Sequence, residues 1–176
     1  MEEIWEFIQD TDSVSLAFLQ EVIDVNMAIA EEGLRKDYGL HVGRGIIRNE
    51  KGSLIGRDIA NTASFTTAAA VDARMAGCTK AVMSVAGSGN QGLTATIPVI
   101  VTANAIGSST DKLYRSLALS ILITIHAKQY IGRLSVLCGC SIASAIGVGG
   151  AMVFLYGGTL KNVYASVRTM TADISG

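Results

Sequence analysis

Charged residues, cysteine and histidine are all scarce in this sequence, and each shortage excludes some classes of partner or chemistry. Only 16% of the 176 residues are charged and 49% are hydrophobic, whereas an ordinary soluble domain is roughly 25% charged. Fourteen basic and fifteen acidic residues give a net charge of −1, so no basic field favours nucleic acid or an anionic membrane as a partner. Because so much of the sequence is hydrophobic, many helix faces must be buried against each other or against partners.

Three cysteines and two histidines limit the redox and metal chemistry. An odd cysteine count does not suggest a disulfide framework and fits a reducing cytoplasm. The N-terminal residues M-E-E-I-W-E-F are acidic where a signal peptide would be basic, so we predict a cytoplasmic protein. His41 and His126 have no catalytic partner nearby in the sequence, and no serine–histidine–aspartate signature is present.

The uncharged stretch 134–160 predicts a buried central helix. Small residues recur in it every four positions, which places them on one narrow stripe where another backbone can approach closely. A membrane span is the alternative, because about 20 residues suffice to cross a bilayer. Glycines and serines lower its hydropathy and favour the buried helix, although periodicity alone does not separate the two. The stripe residues are Gly139, Ala143, Gly147 and Ala151.

Helical spacing of apolar residues continues on both sides of this stretch. Four further helical segments, together with the central helix and one near Pro98, give six expected helices and at most a minor strand. The predicted fold class is all-α: a single helical domain over residues 1–176, built around the buried central helix. The other helical segments are 13–37, 59–75, 110–130 and 160–174.

For three segments the sequence predicts the local structure less definitely. A helix is expected to begin near Thr94 or Thr96, because Pro98 is tolerated in a first helical turn. The glycine-rich segment 41–58 predicts a loop or a short hairpin. The apolar segment 81–86 fits either a strand or part of a buried helix.

The segment Gly87–Gly92 (G-S-G-N-Q-G) is the first candidate site. Three glycines within six residues free the backbone to turn its N–H groups inward, and the helix that follows adds its positive dipole end, so the segment suits a carboxylate or phosphate. No lysine follows the last glycine, which excludes a P-loop, and the spacing is wrong for a dinucleotide fingerprint. A tight turn between helices is the alternative. The candidate binding residues are Ser88, Gly89, Asn90 and Gln91.

Cys138 and Cys140 form the second candidate. Both are expected at the start of the central helix, where backbone N–H groups without intrahelical partners favour a thiolate. A C-x-C pair can ligate a metal, but a structural zinc or cluster site takes about four ligands, and Cys78 is the one remaining thiol of the sequence. Two buried, inert cysteines are therefore the alternative.

Three motifs at these positions carry a family resemblance. They are G-S-G-N-Q-G-L-T-A-T-I-P-V at 87–99, Y-I-G-R-L-S-V-L-C-G-C-S-I-A-S-A at 130–145 and F-L-Y-G-G at 154–158. Together they resemble the L-serine dehydratase alpha-chain-like family of iron–sulfur amino-acid lyases, and within it the L-cysteine desulfidase-type proteins. The resemblance covers nearly the whole chain.

The resemblance implies an all-α catalytic domain with an oxygen-sensitive 4Fe–4S cluster, which three cysteines hold so that one iron can bind substrate. Cys138 and Cys140 match the motif of the first ligand, and the distance to the Gly157–Gly158 pair favours Cys138. The family's other two ligands belong to a C-D-G-A-K-like segment, expected after the A-D-I-S-G at 172–176, and a G-C-T-E-P-like motif belongs to its N-terminal segment. The chain contains neither, so we expect an internal fragment that holds no cluster and is inactive by itself.

The implied reaction is α,β-elimination of L-serine or L-cysteine to pyruvate and ammonia, with release of water or sulfide. The open iron takes the leaving group as a Lewis acid, a base removes the α-proton, and the glycine-rich segment receives the substrate carboxylate. The expected partner is a small amino acid, without nucleic acid or membrane, and a homo-oligomer is left open. The alternative is a non-catalytic helical interaction or structural domain.

Overall fold

The computed structural model describes residues 1–48, 58–132 and 135–175, which are mainly helical. Eight α-helices and one short 3₁₀ helix lie in these ranges, 74% of the residues are helical, and no strand is found there. The all-α prediction is confirmed, with more helices than the six expected. They are α1 Glu2–Asp10, the 3₁₀ helix Ser13–Leu16, α2 Leu19–Arg35, α3 Val42–Arg48, α4 Ile59–Met75, α5 Gly89–Ala105, α6 Thr110–Ile131, α7 Ala143–Leu155 and α8 Leu160–Ser175.

Helix α5 lies at the centre of the domain. Eleven of its seventeen residues are buried, so it is enclosed on all sides, as a core helix is, and it packs against α2, α4, α6 and α7. The prediction that this helix begins near Thr94 or Thr96 is wrong. It begins at Gly89, because the Ser88 side chain caps it by accepting a hydrogen bond from the backbone N–H of Gln91. Pro98 therefore lies inside the helix.

Three residues of the predicted small-residue stripe lie in α7, which packs closely against α6. The first residue of the stripe, Gly139, lies in the turn before the helix. Ala143 and Ala151 are fully buried. A Cβ atom on Gly147 would overlap the carbonyl oxygen of Ser120 and the hydroxyl of Thr124. The absence of a side chain at Gly147 is therefore what allows the two helices to approach.

The central helix is shorter than predicted, and it starts after the cysteines. Residues 135–142 form turns, in which the Ser135 hydroxyl accepts from the backbone N–H of Leu137 and donates to its carbonyl. Such local bonds compete with helix formation. Burial begins at Ala143, whereas residues 136–138 are exposed. Residues 133 and 134 of this prediction lie outside the described ranges.

The membrane-span alternative for 134–160 does not fit, because α7 has 13 residues and a span needs about 20. By length and composition, one described stretch, Ser13–Arg35, reaches the apolarity of a membrane span, with 23 residues and a mean hydropathy of 1.3. Buried core helices and signal sequences also meet this criterion. In the domain, α2 of this stretch packs against α4 and α5.

Two local predictions differ from the structure. Part of the predicted loop or hairpin at 41–58 is the helix α3, which lies directly on α4: a Cβ atom on Gly43 would come 2.5 Å from the carbonyl oxygen of Phe65. Residues 49–57 lie outside the described ranges. The segment 81–86 is neither strand nor helix, and it contributes Val85 to an isolated bridge with Ser88. Helices over 59–75, 110–130 and 160–174 are confirmed by α4, α6 and α8.

Candidate active site

A tight turn leads into the N-terminus of α5 and places Ser88 there. Val85 and Ser88 exchange two backbone hydrogen bonds, of 3.2 and 3.1 Å. Between them Ala86 and Gly87 have φ angles of 48° and 81°, a left-handed conformation that costs glycine little. The expected glycine-rich loop is thus limited to its first residues, because Gly89 to Gly92 already belong to the first turn of α5.

Ser88 brings the two predicted sites together. Its Oγ lies 3.9 Å from Sγ of Cys140, although 52 residues separate them in the sequence. The same Oγ accepts a hydrogen bond from the Gln91 backbone N–H at 3.3 Å. The first turn of α5 and the Cys138–Cys140 turn are therefore direct neighbours.

Asn90 is held by the end of α4. Its Oδ1 accepts a hydrogen bond from Nη1 of Arg74 at 2.9 Å, and its Nδ2 lies 3.2 Å from Sδ of Met75. Arg74 also covers Gly89, since a Cβ atom there would lie 2.5 Å from its Nε. A guanidinium thus lies beside the positive end of the α5 dipole, where an anion is favoured. Sequence reasoning missed Arg74, because no motif marks it.

Gln91 is turned into the interior. Its side chain is buried, and Nε2 donates to the carbonyl oxygen of Val85 at 3.3 Å. Its Oε1 faces the cysteine turn, because a Cβ atom on Gly139 would lie 2.6 Å from it. That Cβ position on Gly139 is also 3.2 Å from Nζ of Lys128. Lys128, which sequence reasoning also missed, therefore brings a second cation to this end of α5.

The two thiols of the cysteine turn have different surroundings. Cys138 is exposed, and hydrogen bonds from the Ser141 side chain and backbone lower the pKa of its thiol. Cys140 is partly buried, and desolvation raises the pKa of its thiol. Their expected place at the first turn of the central helix is not observed, because α7 begins at Ala143.

The third cysteine does not join them. Cys78 packs in a separate apolar cluster with Val82 and Ala73. Among the described residues no group of three histidine, cysteine or acidic side chains could hold a metal ion. Cys138 and Cys140 each offer one thiolate, but Cys78, the third cysteine of the sequence, lies elsewhere, so the three cysteines do not form one ligand set.

Two cavities adjoin the site. Lys128 and Ala86 line an open one of about 450 Å³ beside the turn into α5. A larger cavity, of about 660 Å³, reaches Cys140 and Ser141 and runs between α4, α5, α7 and α8. A helix N-terminus, two cations and two thiols thus share one end of the domain, an arrangement that suits a small carboxylate ligand.

Known proteins match this chain along its length. The family model described as serine dehydratase alpha chain matches residues 1–176. A protein named UPF0597 from Clostridium perfringens is 42% identical over 174 residues, which are 99% of this chain and 41% of the relative. A UPF0597 protein of Oleidesulfovibrio alaskensis is 44% identical over 176 residues, 100% of this chain and 41% of the relative.

The chain spans about two fifths of the length of these relatives. No solved structure matches it significantly. A family model that covers every residue, with relatives above 40% identity, agrees with the motif resemblance at 87–99 and 130–145. The chain belongs to the serine dehydratase alpha chain family.

Proposed function

We propose that this chain is the part of an iron–sulfur-dependent amino-acid lyase that receives the substrate carboxylate and supplies one cluster thiolate. The observation that carries the proposal is the 3.9 Å contact between Ser88 Oγ and Cys140 Sγ, which joins the N-terminus of α5 to the cysteine turn. Family membership supports a lyase related to serine dehydratase. The substrate would be L-serine or L-cysteine, and the cellular compartment the cytoplasm.

The carboxylate would bind at the first turn of α5. The first backbone N–H groups of a helix have no intrahelical partner and favour an anion. Arg74 lies over Gly89 and holds the side chain of Asn90, so a carboxylate at this turn would receive amide donors and a nearby guanidinium. Charge-assisted hydrogen bonds of this kind are about twice as strong as neutral ones.

The cluster thiolate would come from Cys138, the ligand that the family motif favours. Its exposure would leave it accessible to a cluster whose remaining ligands would come from elsewhere in a full-length family member. When bound, such a cluster supplies a Lewis acid for the leaving hydroxyl or thiol. Cys140, packed against Ser88, would instead hold the turn at the fixed distance from the carboxylate that a small substrate requires.

The test uses a full-length family member that retains Ser88, Cys138 and Cys140, reconstituted anaerobically with iron and sulfide. L-Serine and L-cysteine are supplied in turn, and pyruvate is measured beside the visible absorbance of the cluster. We expect Cys138→Ser to remove both signals, and Ser88→Ala to raise KM while the absorbance stays. Cys78→Ser is the matched control, because Cys78 lies in another cluster, and it should change neither.

A cluster-loaded protein that forms pyruvate from neither amino acid would refute the lyase assignment. The alternative, a non-catalytic helical interaction domain, would then gain support. One observation favours that alternative: Tyr130, Val136 and Leu137 are large apolar residues that the described surface leaves exposed.

A further inference from the structure

Gln91 connects three segments of the proposed site: the turn before α5, the first turn of α7 and the cysteine turn. Its side chain is 1% exposed, and Nε2 donates to the carbonyl oxygen of Val85 in the turn before α5. Its backbone N–H donates to Ser88 Oγ at 3.3 Å. Its backbone carbonyl accepts from the Ser144 hydroxyl at 3.2 Å, which connects it to the first turn of α7.

The other face of the same carboxamide lies against the cysteine turn. A Cβ atom on Gly139 would come 2.6 Å from Gln91 Oε1, closer than a carbon and an oxygen can approach without displacement. Gly139 is therefore the residue that lets the backbone between Cys138 and Cys140 lie directly on the amide. The planar amide thus lies between the Val85 carbonyl and the Gly139 backbone, beside the direct contact of Ser88 with Cys140.

A buried carboxamide in this place has a cost that an apolar side chain would avoid. Burying an amide is unfavourable unless it is hydrogen-bonded, and an apolar residue of similar volume would fill the core without that requirement. A carboxamide differs in being directional, since its hydrogen bond to Val85 fixes the plane of the group. A carboxamide at position 91 is explained if a fixed position of the two turns is required, and not only a filled core.

We propose that Gln91 is a positioning residue that sets the distance between Ser88 and the cysteine turn. It does not contact substrate: the amide holds the Val85–Ser88 turn on one side and supports the Gly139 backbone on the other. Its role in catalysis rests on the proposed function, but the geometric role does not. A carboxylate site and a cluster thiolate act on one small molecule only while their separation stays constant.

The experiment measures that distance in the chain itself, without cluster or substrate. In a Ser88→Cys, Cys138→Ser background, the new thiol at position 88 faces Cys140, and the disulfide formed with diamide is quantified by mass spectrometry of peptides. Gln91→Met, which has a similar length but no amide, is compared with Gln9→Met on the exposed part of α1. We expect Gln91→Met to slow the cross-linking at least about tenfold, with the far-UV circular dichroism unchanged, and Gln9→Met to leave the rate unchanged.

Gly139→Ala provides a second route if Gln91→Met does not fold. It keeps the amide and pushes the turn away from it, so it should slow the cross-linking as well. Cross-linking at the background rate in the folded variants, with or without a lower melting temperature, would overturn the proposal and leave Gln91 as a packing residue. Because no pyruvate is measured, failure of the lyase assignment would leave this result standing.

Discussion

Adding a single methyl group at Gly147 should destabilise the domain, because α6 and α7 meet there backbone to backbone. The new Cβ would overlap the carbonyl oxygen of Ser120 and the hydroxyl of Thr124. These two groups are hydrogen-bonded to each other at 2.7 Å, and the Ser120 hydroxyl in turn donates to the Ala95 carbonyl in α5. The carbonyl cannot rotate away as a flexible side chain would, so the helices must separate.

The expected magnitude follows from two opposing contributions. Overpacking a well-packed core costs about 1–3 kcal/mol, and contact with backbone puts Gly147→Ala at the upper end. Replacing a helical glycine by alanine stabilises the folded state by about 1 kcal/mol through helix propensity. We therefore expect the free energy of unfolding to fall by roughly 2 kcal/mol in Gly147→Ala, and further in Gly147→Leu. For a domain of this size a loss of 2 kcal/mol lowers the melting temperature by about 4–8 °C.

Gly149→Ala is the matched control, on the same helix and with the same gain in helix propensity. Its Cβ would meet the side chains of Met170 and Ser166, each at 2.9 Å, and both can rotate away. Urea unfolding of the three proteins, followed by circular dichroism, should find Gly149→Ala as stable as the parent or more so. If Gly147→Ala were equally stable, the close contact between α6 and α7 would be refuted.

Three further predictions concern charge, substrate and cluster. Hydrogen bonds from Lys36, and then from Arg35, hold the pKa of Glu32 at about 2, below its ordinary 4.5. The ionised carboxylate therefore stabilises the folded state above pH 4.5, and this contribution is lost as the pH falls towards 2. Urea unfolding between pH 5 and 2 should show a smaller loss of stability in Glu32→Gln than in the parent, and equal losses would contradict the assignment. In a full-length, cluster-loaded family member, Asn90→Ala should release Arg74 and raise KM for the amino acid with the visible spectrum intact; an unchanged KM and turnover would remove Asn90 from the site. The chain alone should stay colourless after anaerobic reconstitution with iron and sulfide, because an incomplete ligand set loses most of the binding free energy, and a stable brown product with about four irons per chain would contradict this.

Features set by local sequence were predictable. Helices α4, α6 and α8 follow from apolar spacing and from capping residues such as Ser109, whose side chain accepts from the Lys112 N–H. The close approach at Gly147 follows from a four-residue repeat of small side chains, which has the same meaning in any packed helix pair. In both cases the information lies within a few turns of one helix.

Features set by distant contacts were not predictable. The start of α5 is a local exception: Ser88 caps the helix by accepting from the Gln91 N–H, but Pro98 favoured a later start in the sequence. The helix α3 depends on its contact with α4, where Gly43 also donates a backbone hydrogen bond to Asp72. Arg74 joins the site because Asn90 lies opposite it, although 16 residues separate the two.

The location of the site follows from helix lengths. Helix α5 runs from Gly89 to Ala105, and α6 returns beside it after a short turn at 106–109. At about 1.5 Å per residue, α5 covers roughly 24 Å, and the path from Thr110 to Lys128 covers roughly 27 Å in the opposite direction. Lys128 must therefore come back to the level of Gly89, as its position beside Gly139 shows.

The same geometry brings the cysteine turn to the start of α5. The turn follows α6 closely in the chain, so it begins at the end of the domain to which α6 has returned. Arg74 reaches this end from the last turn of α4. Cations in the last turns of helices are favoured by the negative ends of their own dipoles, so packing α4 and α6 antiparallel to α5 delivers Arg74 and Lys128 to its positive end. The charge that would bind a carboxylate is thus placed by features that also stabilise the helices themselves.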